Sequence, residues 1–287
     1  MTGLVGLIGY PLGHSLSPVF QQAALDYYEL KFKYELWPTT SDELPSLVSR
    51  IREFGYLGAN VTIPHKVEIM ALLDEIDDVA KTIGAVNTIV KKDEKLIGYN
   101  TDAFGFLKPL LELAKFKPSG ARVLLLGAGG AARSACYALL NAGITHLVLA
   151  NRTLSNAERL ACESQKFLEN AKSAQINFVT LADPKLNTYA RSADLIVNAT
   201  SIGMRHSSFA QESLLMPQQI SEDTLVYDLV YNPRETQLLR NAKDAGARTL
   251  EGIPMLVYQG AESFELWFKK KAPIDVMMHA CDGEQFK

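Results

Sequence analysis

The sequence predicts an α/β protein with two domains, each built on an open sheet covered by helices. Three observations support this. The chain has 287 residues, more than one compact core usually organises. Short apolar runs alternate with amphipathic stretches, a rhythm typical of mostly parallel sheets. A glycine-rich turn joins a buried strand to a helix near residue 127. We expect the first domain to cover residues 1–104 and to be completed by 242–287, with the second domain at 105–241.

Composition and charge exclude several classes of protein. The apolar fraction is 47% and the charged fraction 21%, as in globular proteins rather than disordered or fibrous ones. A net charge of -3 argues against a large nucleic-acid surface and a polybasic membrane surface. We find no apolar run of the roughly 18 residues that a membrane span needs. Cys136, Cys162 and Cys281 are scattered, which predicts a reducing cytoplasm, no disulfides and no metal site.

The elements of the first domain can be assigned in chain order. VGLIGY, KYELWP, GANVTIP, AVNTIVKK and KLIGYNTD predict strands, and the amphipathic stretches SPVFQQAALDYYEL, ELPSLVSRIREF and VEIMALLDEI predict helices between them. Near the other end of the chain, EGIPMLVYQGAESFELWFKK predicts a turn and a long helix. We expect that helix to return to the first domain. The tail after Pro273 has no assigned purpose.

A second α/β series begins after KFKPSGARV, where Lys, Pro, Ser and Gly mark a connection. VLLLGAG, THLVLANRT, ADLIVNATS and TLVYDLVYNP predict strands, and GAARSACYALLNAG predicts a helix closed by Gly143. ETQLLRNAKDAGARTL predicts a further helix and strand. The stretch from Cys162 to about Tyr189 has little periodicity and gives no firm assignment.

The turn Gly127-Ala-Gly129-Gly-Ala-Ala132 fits the G-x-G-x-x-G/A fingerprint of a Rossmann dinucleotide site. The first glycine permits the tight turn, the second lets the backbone approach the pyrophosphate, and a small third residue lets helix and strand pack closely. Free N–H groups at the start of the helix then bind phosphate. A glycine turn used only for packing is the alternative, but the strand before it and the helix after it favour dinucleotide binding.

The end of the following strand indicates which dinucleotide binds. NAD sites usually have an acidic residue there, about 20 residues after the glycines, to bind the ribose hydroxyls. This chain has Asn151-Arg152-Thr153 instead. An acid would repel a 2′-phosphate, whereas Arg152 can pair with it and stack beneath the adenine. The position favours NADP over the alternative of a solvated arginine.

Polar residues gather at predicted strand ends of the first domain, where open α/β sheets place ligand contacts. Ser15 and Ser17 follow the first strand near a helix start, and can either bind a carboxylate or act as N-cap residues. The others are Asn60, Thr62, Lys66, Asn87 and Asp102. Lys66 is notable because the helix dipole disfavours a cation near a helix N-terminus.

Across nearly its whole length the chain resembles the shikimate dehydrogenases. The matching stretches, in order, are GYPLGHSLSP, GANVTIPHK, IGAVNTI, GYNTDAFGF, LGAGGAARS, NRT, NATSIGM, DLVYNP and EGIPMLVYQGA. The resemblance implies a substrate domain, an NADP domain and a C-terminal helical return. It also implies reversible, NADPH-dependent reduction of 3-dehydroshikimate to shikimate in aromatic amino-acid (chorismate) biosynthesis, by a cytoplasmic monomer or homodimer with a small-molecule substrate.

The resemblance also implies residue roles. Lys66 and Asp102 are the catalytic pair, and Ser15 and Ser17 bind the substrate carboxylate with Tyr231 nearby. Thr62, Asn87, Asp102 and Gln259 bind the ring hydroxyls. The residues from Gly127 through Ala128, Gly129 and Gly130 to Ala131 line the pyrophosphate, and Asn151, Arg152 and Thr153 the adenosine phosphate. Secondary cofactor contacts are Asp78, Thr200, Met204, Leu229, Gly252 and Met255.

One position departs from the pattern. Asn156 stands where many NADP-preferring members carry a second basic residue, so the preference over NAD is expected to be weaker. Two alternatives remain: an enzyme of the same superfamily that uses quinate or NAD, and a non-catalytic dinucleotide sensor. Loss of Lys66 or Asp102 would favour the sensor, and both are present.

Overall fold

The computed structural model describes residues 2–13, 15–170, 174–205 and 207–283. The chain divides into two compact units. The first unit contains the residues up to Gly105 and those from Leu256 onward, and the second contains Phe106–Met255. The predicted boundary at residue 241 lies inside a helix of the second unit, because the helix and strand that follow Thr236 pack on the second sheet.

The strands of the first unit are β1 (Gly3–Gly9), β2 (Phe32–Pro38), β3 (Tyr56–Val61), β4 (Glu75–Ile76), β5 (Thr88–Lys92) and β6 (Lys95–Tyr99). Those of the second unit are β7 (Arg122–Leu126), β8 (His146–Asn151), β9 (Gln175–Thr180), β10 (Leu195–Asn198), β11 (Leu225–Asp228) and β12 (Arg248–Leu250).

The helices in chain order are α1 (Ser17–Tyr27), α2 (Leu44–Ile51), α3 (Asp78–Ile83), α4 (Asp102–Glu112), α5 (Gly130–Asn141), α6 (Leu154–Ser164), α7 (Lys185–Ser192), α8 (Gln237–Asp244), α9 (Ile253–Phe268) and α10 (Ile274–Gly283). Shorter 3₁₀ turns occupy Glu68–Leu72, Gln165–Asn170 and Pro217–Gln219. Among the described residues, none of these helices combines enough length and apolar character to cross a bilayer.

The first sheet has the strand order β2-β1-β3-β5-β6-β4 and is mixed. β1 runs parallel to both of its neighbours, and β4 runs parallel to β6. β5 is antiparallel to both β3 and β6. Its pairing with β6 has to be antiparallel, because only Asp93 and Glu94 separate the two strands and so short a connection can only form a hairpin. Apolar side chains from β1, β3, β5 and α2 form a core that includes Ile8 and Ile51.

The second sheet has the strand order β12-β11-β10-β7-β8-β9, and every pair in it is parallel. This is the doubly wound order, with the topological switch point between β7 and β10. Its strands are nearly continuous apolar runs because helices cover both faces. All the carboxyl ends lie at one edge, so the turns after β7, β8, β10 and β11 are brought together there. The predicted α/β class and Rossmann organisation are confirmed.

One segment differs from the element expected from the sequence, and two segments without a firm assignment form defined elements. VEIMALLDEI forms a 3₁₀ turn followed by β4 rather than one helix. The aperiodic stretch after Cys162 contains β9 and the start of α7. The tail after Pro273 forms α10, which packs against α1. Met277 and Cys281, spaced four apart on one face of α10, are fully buried. The return of the C-terminal helices to the first unit is as predicted.

Candidate active site

An ion pair between Lys66 and Asp102 is the centre of the site in the first unit. The Lys66 Nζ donates to Asp102 Oδ2 at 2.6 Å. The two side chains are only 16% and 5% exposed. Lys66 follows β3, in the turn between β3 and the 3₁₀ turn at Glu68–Leu72, and its carbonyl accepts from Val86 N at 2.8 Å. Asp102 is the first residue of α4, where the helix dipole favours an anion.

Asn87 and Gln259 extend this cluster. The Asn87 Nδ2 donates to Asp102 Oδ1 at 2.9 Å and to Gln259 Oε1 at 3.2 Å. Asn87 is fixed from behind, because its Oδ1 accepts from Thr101 N at 2.7 Å. The structure therefore brings four of the predicted residues together, and they form one connected set of donors and acceptors. Such a set can bind hydroxyl groups and move a proton.

A layer of buried hydroxyl groups lies behind this cluster, and sequence reasoning missed most of it. Ser263 Oγ accepts from Asn60 Nδ2 at 2.9 Å and lies 2.8 Å from Thr88 Oγ1 and 3.2 Å from Thr101 Oγ1. Ser263 follows Gln259 by one turn of α9, so the i, i+4 spacing on that helix was the available signal. This layer holds Thr101 and Asn87, and through them Asp102.

Ser15 and Ser17 lie where β1 leads into α1. Ser15 Oγ accepts from Ser17 N at 3.2 Å, and Ser17 is the first residue of the helix. The Ser17 hydroxyl bonds to the Tyr34 hydroxyl, which donates to Asn60 Oδ1 at 2.8 Å. Burial raises the pKa of Tyr34 well above its ordinary range, so it remains a neutral donor. Ser17 is thus connected to the buried hydroxyl layer.

Three further residues of the first unit, Thr62, His65 and Asp78, lie in different environments. Thr62 follows β3, and its backbone N–H donates to the carbonyl of Ile8 at 2.8 Å. His65 is fully buried and bonds to the carbonyl of Thr39 through Nε2 at 2.7 Å, so it is a packing residue rather than part of the cluster. The Asp78 side chain is 99% exposed, at the start of α3, and pairs with Lys81 at 3.3 Å. The structure does not bring Asp78 into the Lys66 cluster.

In the second unit, the glycine turn has the geometry that a dinucleotide requires. Gly127 has a φ of +111°, and a Cβ on it would lie 2.9 Å from the carbonyl oxygen of Ala199. A Cβ on Gly129 would meet nothing within 4 Å, so the space above it is open to a ligand. The helix α5 begins at Gly130 and Ala131, and Ala132 packs fully buried beneath them. Its first N–H groups can therefore bind a phosphate.

The end of β8 carries the predicted adenosine-phosphate residues. Asn151 ends the strand, and its Nδ2 donates to the carbonyl of Thr153 at 2.9 Å. Arg152 and Thr153 are exposed beside it. Asn156 lies in the first turn of α6, and its Oδ1 accepts from Arg159 Nη2 at 3.1 Å. A second guanidinium therefore lies one turn along the same helix, a feature that the sequence reasoning did not use.

The residues predicted as secondary cofactor contacts, apart from Asp78, lie in or next to turns at the carboxyl edge of the second sheet. Thr200 and Met204 follow β10, Leu229 and Tyr231 follow β11, and Gly252 and Met255 lie between β12 and α9 and in its first turn. Two buried residues that were not predicted join these turns. Asn198 ends β10 and Asp228 ends β11, at paired positions in the sheet. A polar residue closing an otherwise apolar strand was the signal for both.

Asp228 is a fully buried carboxylate bound by three donors. Its Oδ2 accepts from Thr236 Oγ1 at 2.6 Å, and its Oδ1 accepts from Asn198 Nδ2 at 2.8 Å and Val230 N at 3.0 Å. Burial raises the pKa of this carboxyl to about 6, while the three hydrogen bonds act in the opposite direction. Within the described residues, no group of three or more His, Cys, Asp or Glu side chains is arranged to hold a metal ion.

Comparison with known proteins agrees with this geometry. The family profile described as the shikimate dehydrogenase substrate binding domain matches residues 7–89. The profile for shikimate/quinate 5-dehydrogenase matches residues 111–250. The profile for the shikimate 5′-dehydrogenase C-terminal domain matches residues 252–281. Together these profiles extend over both units.

Individual relatives match over nearly the full chain. A shikimate dehydrogenase (NADP(+)) of Methanopyrus kandleri is 43% identical, covering 97% of this chain and 94% of its own. A crystal structure of the Thermus thermophilus enzyme with NADP(H) and shikimate is 36% identical, with a TM-score of 0.85 and coverage of 98% and 99%. A Corynebacterium glutamicum quinate dehydrogenase in complex with NAD is 29% identical, with a TM-score of 0.88 and coverage of 99% of each chain. The chain belongs to the shikimate dehydrogenase family.

Proposed function

We propose that this protein catalyses the reversible, NADPH-dependent reduction of 3-dehydroshikimate to shikimate. The observation that carries the proposal is the 2.6 Å pair of Lys66 and Asp102 with Asn87 bonded to it. A non-catalytic dinucleotide sensor has no use for a largely buried ammonium held by a carboxylate. The relatives that match the full chain carry the same activity in their names.

The substrate offers a carboxylate and ring hydroxyls, and the first unit offers complementary groups. Ser15 and Ser17 supply hydroxyls at the start of α1, where the helix dipole attracts an anion. Asn87, Asp102 and Gln259 supply donors and acceptors for the ring hydroxyls. Thr62, which follows β3, is proposed to bind them as well. Tyr231, in the second unit, is proposed as a further contact to the carboxylate.

The chemical step requires a proton at the oxygen of the substrate carbonyl. Negative charge grows on that oxygen as the ketone is reduced, so a nearby cation and proton donor lower the barrier. Lys66 Nζ supplies both, and it takes the proton back in the direction of shikimate oxidation. Asp102 accepts a hydrogen bond from Nζ, which fixes the direction of the ammonium and compensates its charge.

The second unit fits NADP. The open space above Gly129 and the positive φ of Gly127, which glycine adopts readily, form a turn that the pyrophosphate can approach, with Ala128, Gly130 and Ala131 around it. Arg152 is exposed at the end of β8, and neither Asn151 nor Thr153 brings an acidic charge that would repel a 2′-phosphate. When bound, NADPH supplies the hydride for the reduction.

The remaining cofactor contacts follow from the turns at the same sheet edge. Thr200, Met204, Leu229, Gly252 and Met255 are proposed to surround the nicotinamide side of the cofactor. Asp78 is proposed as a more distant cofactor contact on the strength of the family resemblance alone. A cytoplasmic location, as a monomer or homodimer, completes the proposal.

A quinate- or NAD-using enzyme is the second candidate, supported by one relative and by one residue. The quinate dehydrogenase noted above has the same fold over the whole chain. Asn156 replaces a basic residue in the first turn of α6 and so weakens the case for strict NADP use.

The test is to follow nicotinamide absorbance with shikimate or quinate, each with NADP or NAD. We expect turnover mainly with shikimate and NADP. Comparable turnover with quinate or NAD favours the second candidate, and no turnover with any pair favours a sensor.

The catalytic assignment is tested with Lys66→Ala. We expect kcat to fall about 10²–10⁴-fold while shikimate binding changes only a few-fold. Lys95→Ala is the matched control. Lys95 on β6 pairs at 2.5 Å with Glu75 on β4, the strand at the end of the first sheet, and both side chains are exposed. Nearly intact turnover in Lys66→Ala would show that Lys66 is not the proton donor.

A further inference from the structure

Among the described residues of the second unit, Asp228 is the one buried carboxylate, and the proposed reaction has no role for it. It is the last residue of β11. Tyr227 before it is buried, and Leu229 after it lies in a turn proposed to contact the cofactor. Burying a charged group is costly unless hydrogen bonds compensate the cost. Asp228 accepts three such bonds, and the donors show which turns depend on it.

One chain of bonds leads from Asp228 to the turn after β10. Asn198 donates to Asp228 through Nδ2, and its Oδ1 accepts from Thr200 Oγ1 at 2.7 Å and from Thr200 N at 3.0 Å. Thr200 Oγ1 in turn accepts from Ile202 N at 3.1 Å. Asp228 favours this orientation of the Asn198 amide, because only the NH₂ side can face a carboxylate, and the bond from Thr200 N to Oδ1 favours the same orientation. Asp228 therefore supports the 199–202 backbone through Asn198, whose Nδ2 also donates to the Ile202 carbonyl at 3.2 Å.

The other bonds of Asp228 lead to the turn after β11. Val230 N donates to Oδ1, which closes the backbone directly after Leu229. The carbonyl oxygens of Leu229 and Val230 lie 2.7 and 2.6 Å from where a Cβ of Gly252 would stand, so the turn before α9 rests on this backbone. The Ala199 carbonyl lies against Gly127 in the same way. One carboxylate thus connects the pyrophosphate turn, the two nicotinamide-side turns and the turn before α9.

Resting on the proposed function, we propose that Asp228 is a positioning residue. It holds the turns 199–204 and 229–231 in the arrangement that directs the nicotinamide for hydride transfer, and it does so through Asn198 and Val230 without touching the cofactor. An error of about 1 Å in the placement of reacting groups can cost about 100-fold in rate, so such a support affects turnover more than binding.

The experiment compares Asp228→Ala with Asp228→Asn. The alanine removes every acceptor, whereas the asparagine keeps one oxygen for Asn198 and Val230 and can donate to the Thr236 hydroxyl. For Asp228→Ala we expect kcat with shikimate and NADP to fall about 10- to 100-fold and the primary deuterium isotope effect of deuterated shikimate to rise. We expect the KM for shikimate to stay within about threefold, and Asp228→Asn to stay within about threefold of wild type, since its bonds are kept.

A second measurement does not depend on turnover. Hydrogen exchange of the cofactor-free protein is expected to accelerate at Thr200, Ile202 and Val230 in Asp228→Ala. In Asn198→Ala it is expected to accelerate at Thr200 and Ile202 only, because the bond from Val230 to Asp228 remains. These readouts remain valid if the protein does not oxidise shikimate, so failure of the proposed function is distinguishable from failure of this inference.

Leu186→Ala is the control for general loss of stability. Leu186 lies on α7 in the core of the same unit and makes none of these hydrogen bonds. It is expected to lower the melting temperature without changing kcat. The inference is overturned if Asp228→Ala retains kcat, if Leu186→Ala loses kcat to the same degree, or if Asp228→Asn is as impaired as the alanine variant.

Discussion

Replacing Asp228 with asparagine should make folding of the second unit less sensitive to pH. In the folded protein burial raises the pKa of this carboxyl from its ordinary value of 3.8 to about 6. Between these pH values the folded state holds a proton that the unfolded state has released. The carboxyl therefore supports folding fully below pH 3.8, and this support is lost as the pH rises through 6. Asparagine has no proton to lose.

The expected size follows from the same two values. A tenfold change in an equilibrium constant corresponds to about 1.4 kcal/mol, and the two pKa values differ by about two pH units. Wild type should therefore lose about 3 kcal/mol from this group between pH 4 and pH 7. Every other titrating group is present in both proteins, so its contribution cancels in the difference. Any fixed cost of the substitution also cancels when the difference at pH 4 is subtracted from that at pH 7.

The assay is urea unfolding of both proteins across this pH range. Two-domain chains do not always unfold in one step, so two probes are needed. Both tryptophans, Trp37 and Trp267, lie in the first unit, and their fluorescence reports that unit alone. Far-UV circular dichroism reports both units. We expect the stability of Asp228→Asn relative to wild type to rise with pH in the circular dichroism transition of the second unit.

Two results would contradict this reasoning. If the stability of Asp228→Asn relative to wild type is the same at pH 4 and pH 7, the pKa of Asp228 is not raised in the folded state. If that relative stability falls as the pH rises, the bonds from Thr236, Asn198 and Val230 outweigh burial and lower the pKa instead.

Three further predictions concern single side chains. Arg152→Ala should raise the KM for NADPH far more than that for NADH, and equal effects measured in parallel titrations would remove Arg152 from the 2′-phosphate site. Gly127→Ala should destabilise the cofactor-free protein, because its Cβ would lie 2.9 Å from the Ala199 carbonyl, whereas Gly129→Ala should keep the melting temperature and weaken only NADP binding; the reverse order in a thermal and binding comparison would refute this geometry. Ser263→Ala should leave Asn60 and its hydroxyl neighbours short of a partner and lower the tryptophan-reported stability by about 1–3 kcal/mol, with Ser49→Ala as the exposed control. A loss no greater than in that control would mean that the hydroxyl layer does not depend on Ser263.

The sequence was sufficient to predict most of the fold because its signals are local. Buried parallel strands appear as apolar runs, and the turn at Gly127 combines a glycine pattern with a strand before it and a helix after it. The failures have equally local causes. β4 is two residues long, too short to show a period, and β9 alternates little between exposed and buried positions.

The residues of the site were predictable from the sequence only where the residue type itself indicates a chemical role. Lys66 and Asp102 attract notice because they are charged residues at predicted strand ends, where open α/β sheets place ligand contacts. Ser263 and Asn198 carry only weak signals, the i, i+4 spacing from Gln259 and a polar end to an apolar strand, because serine and asparagine are common in loops and helices alike. Their roles depend on contacts between residues far apart in sequence, such as Ser263 with Asn60, which only the folded chain reveals.

The division of the first unit between two separate stretches of chain has a consequence for synthesis on the ribosome. Lys66, Asn87 and Asp102 are made early, but Gln259 and Ser263 follow only after the whole second unit, Phe106–Met255, has been translated. At about 5–20 residues per second this delay is roughly 10–30 s. Throughout that interval Asn60 and Thr88 lack the hydroxyl that completes their hydrogen bonding. The second unit is continuous in sequence, so it can fold first as a Rossmann domain, and the cluster around Lys66 and Asp102 is completed last.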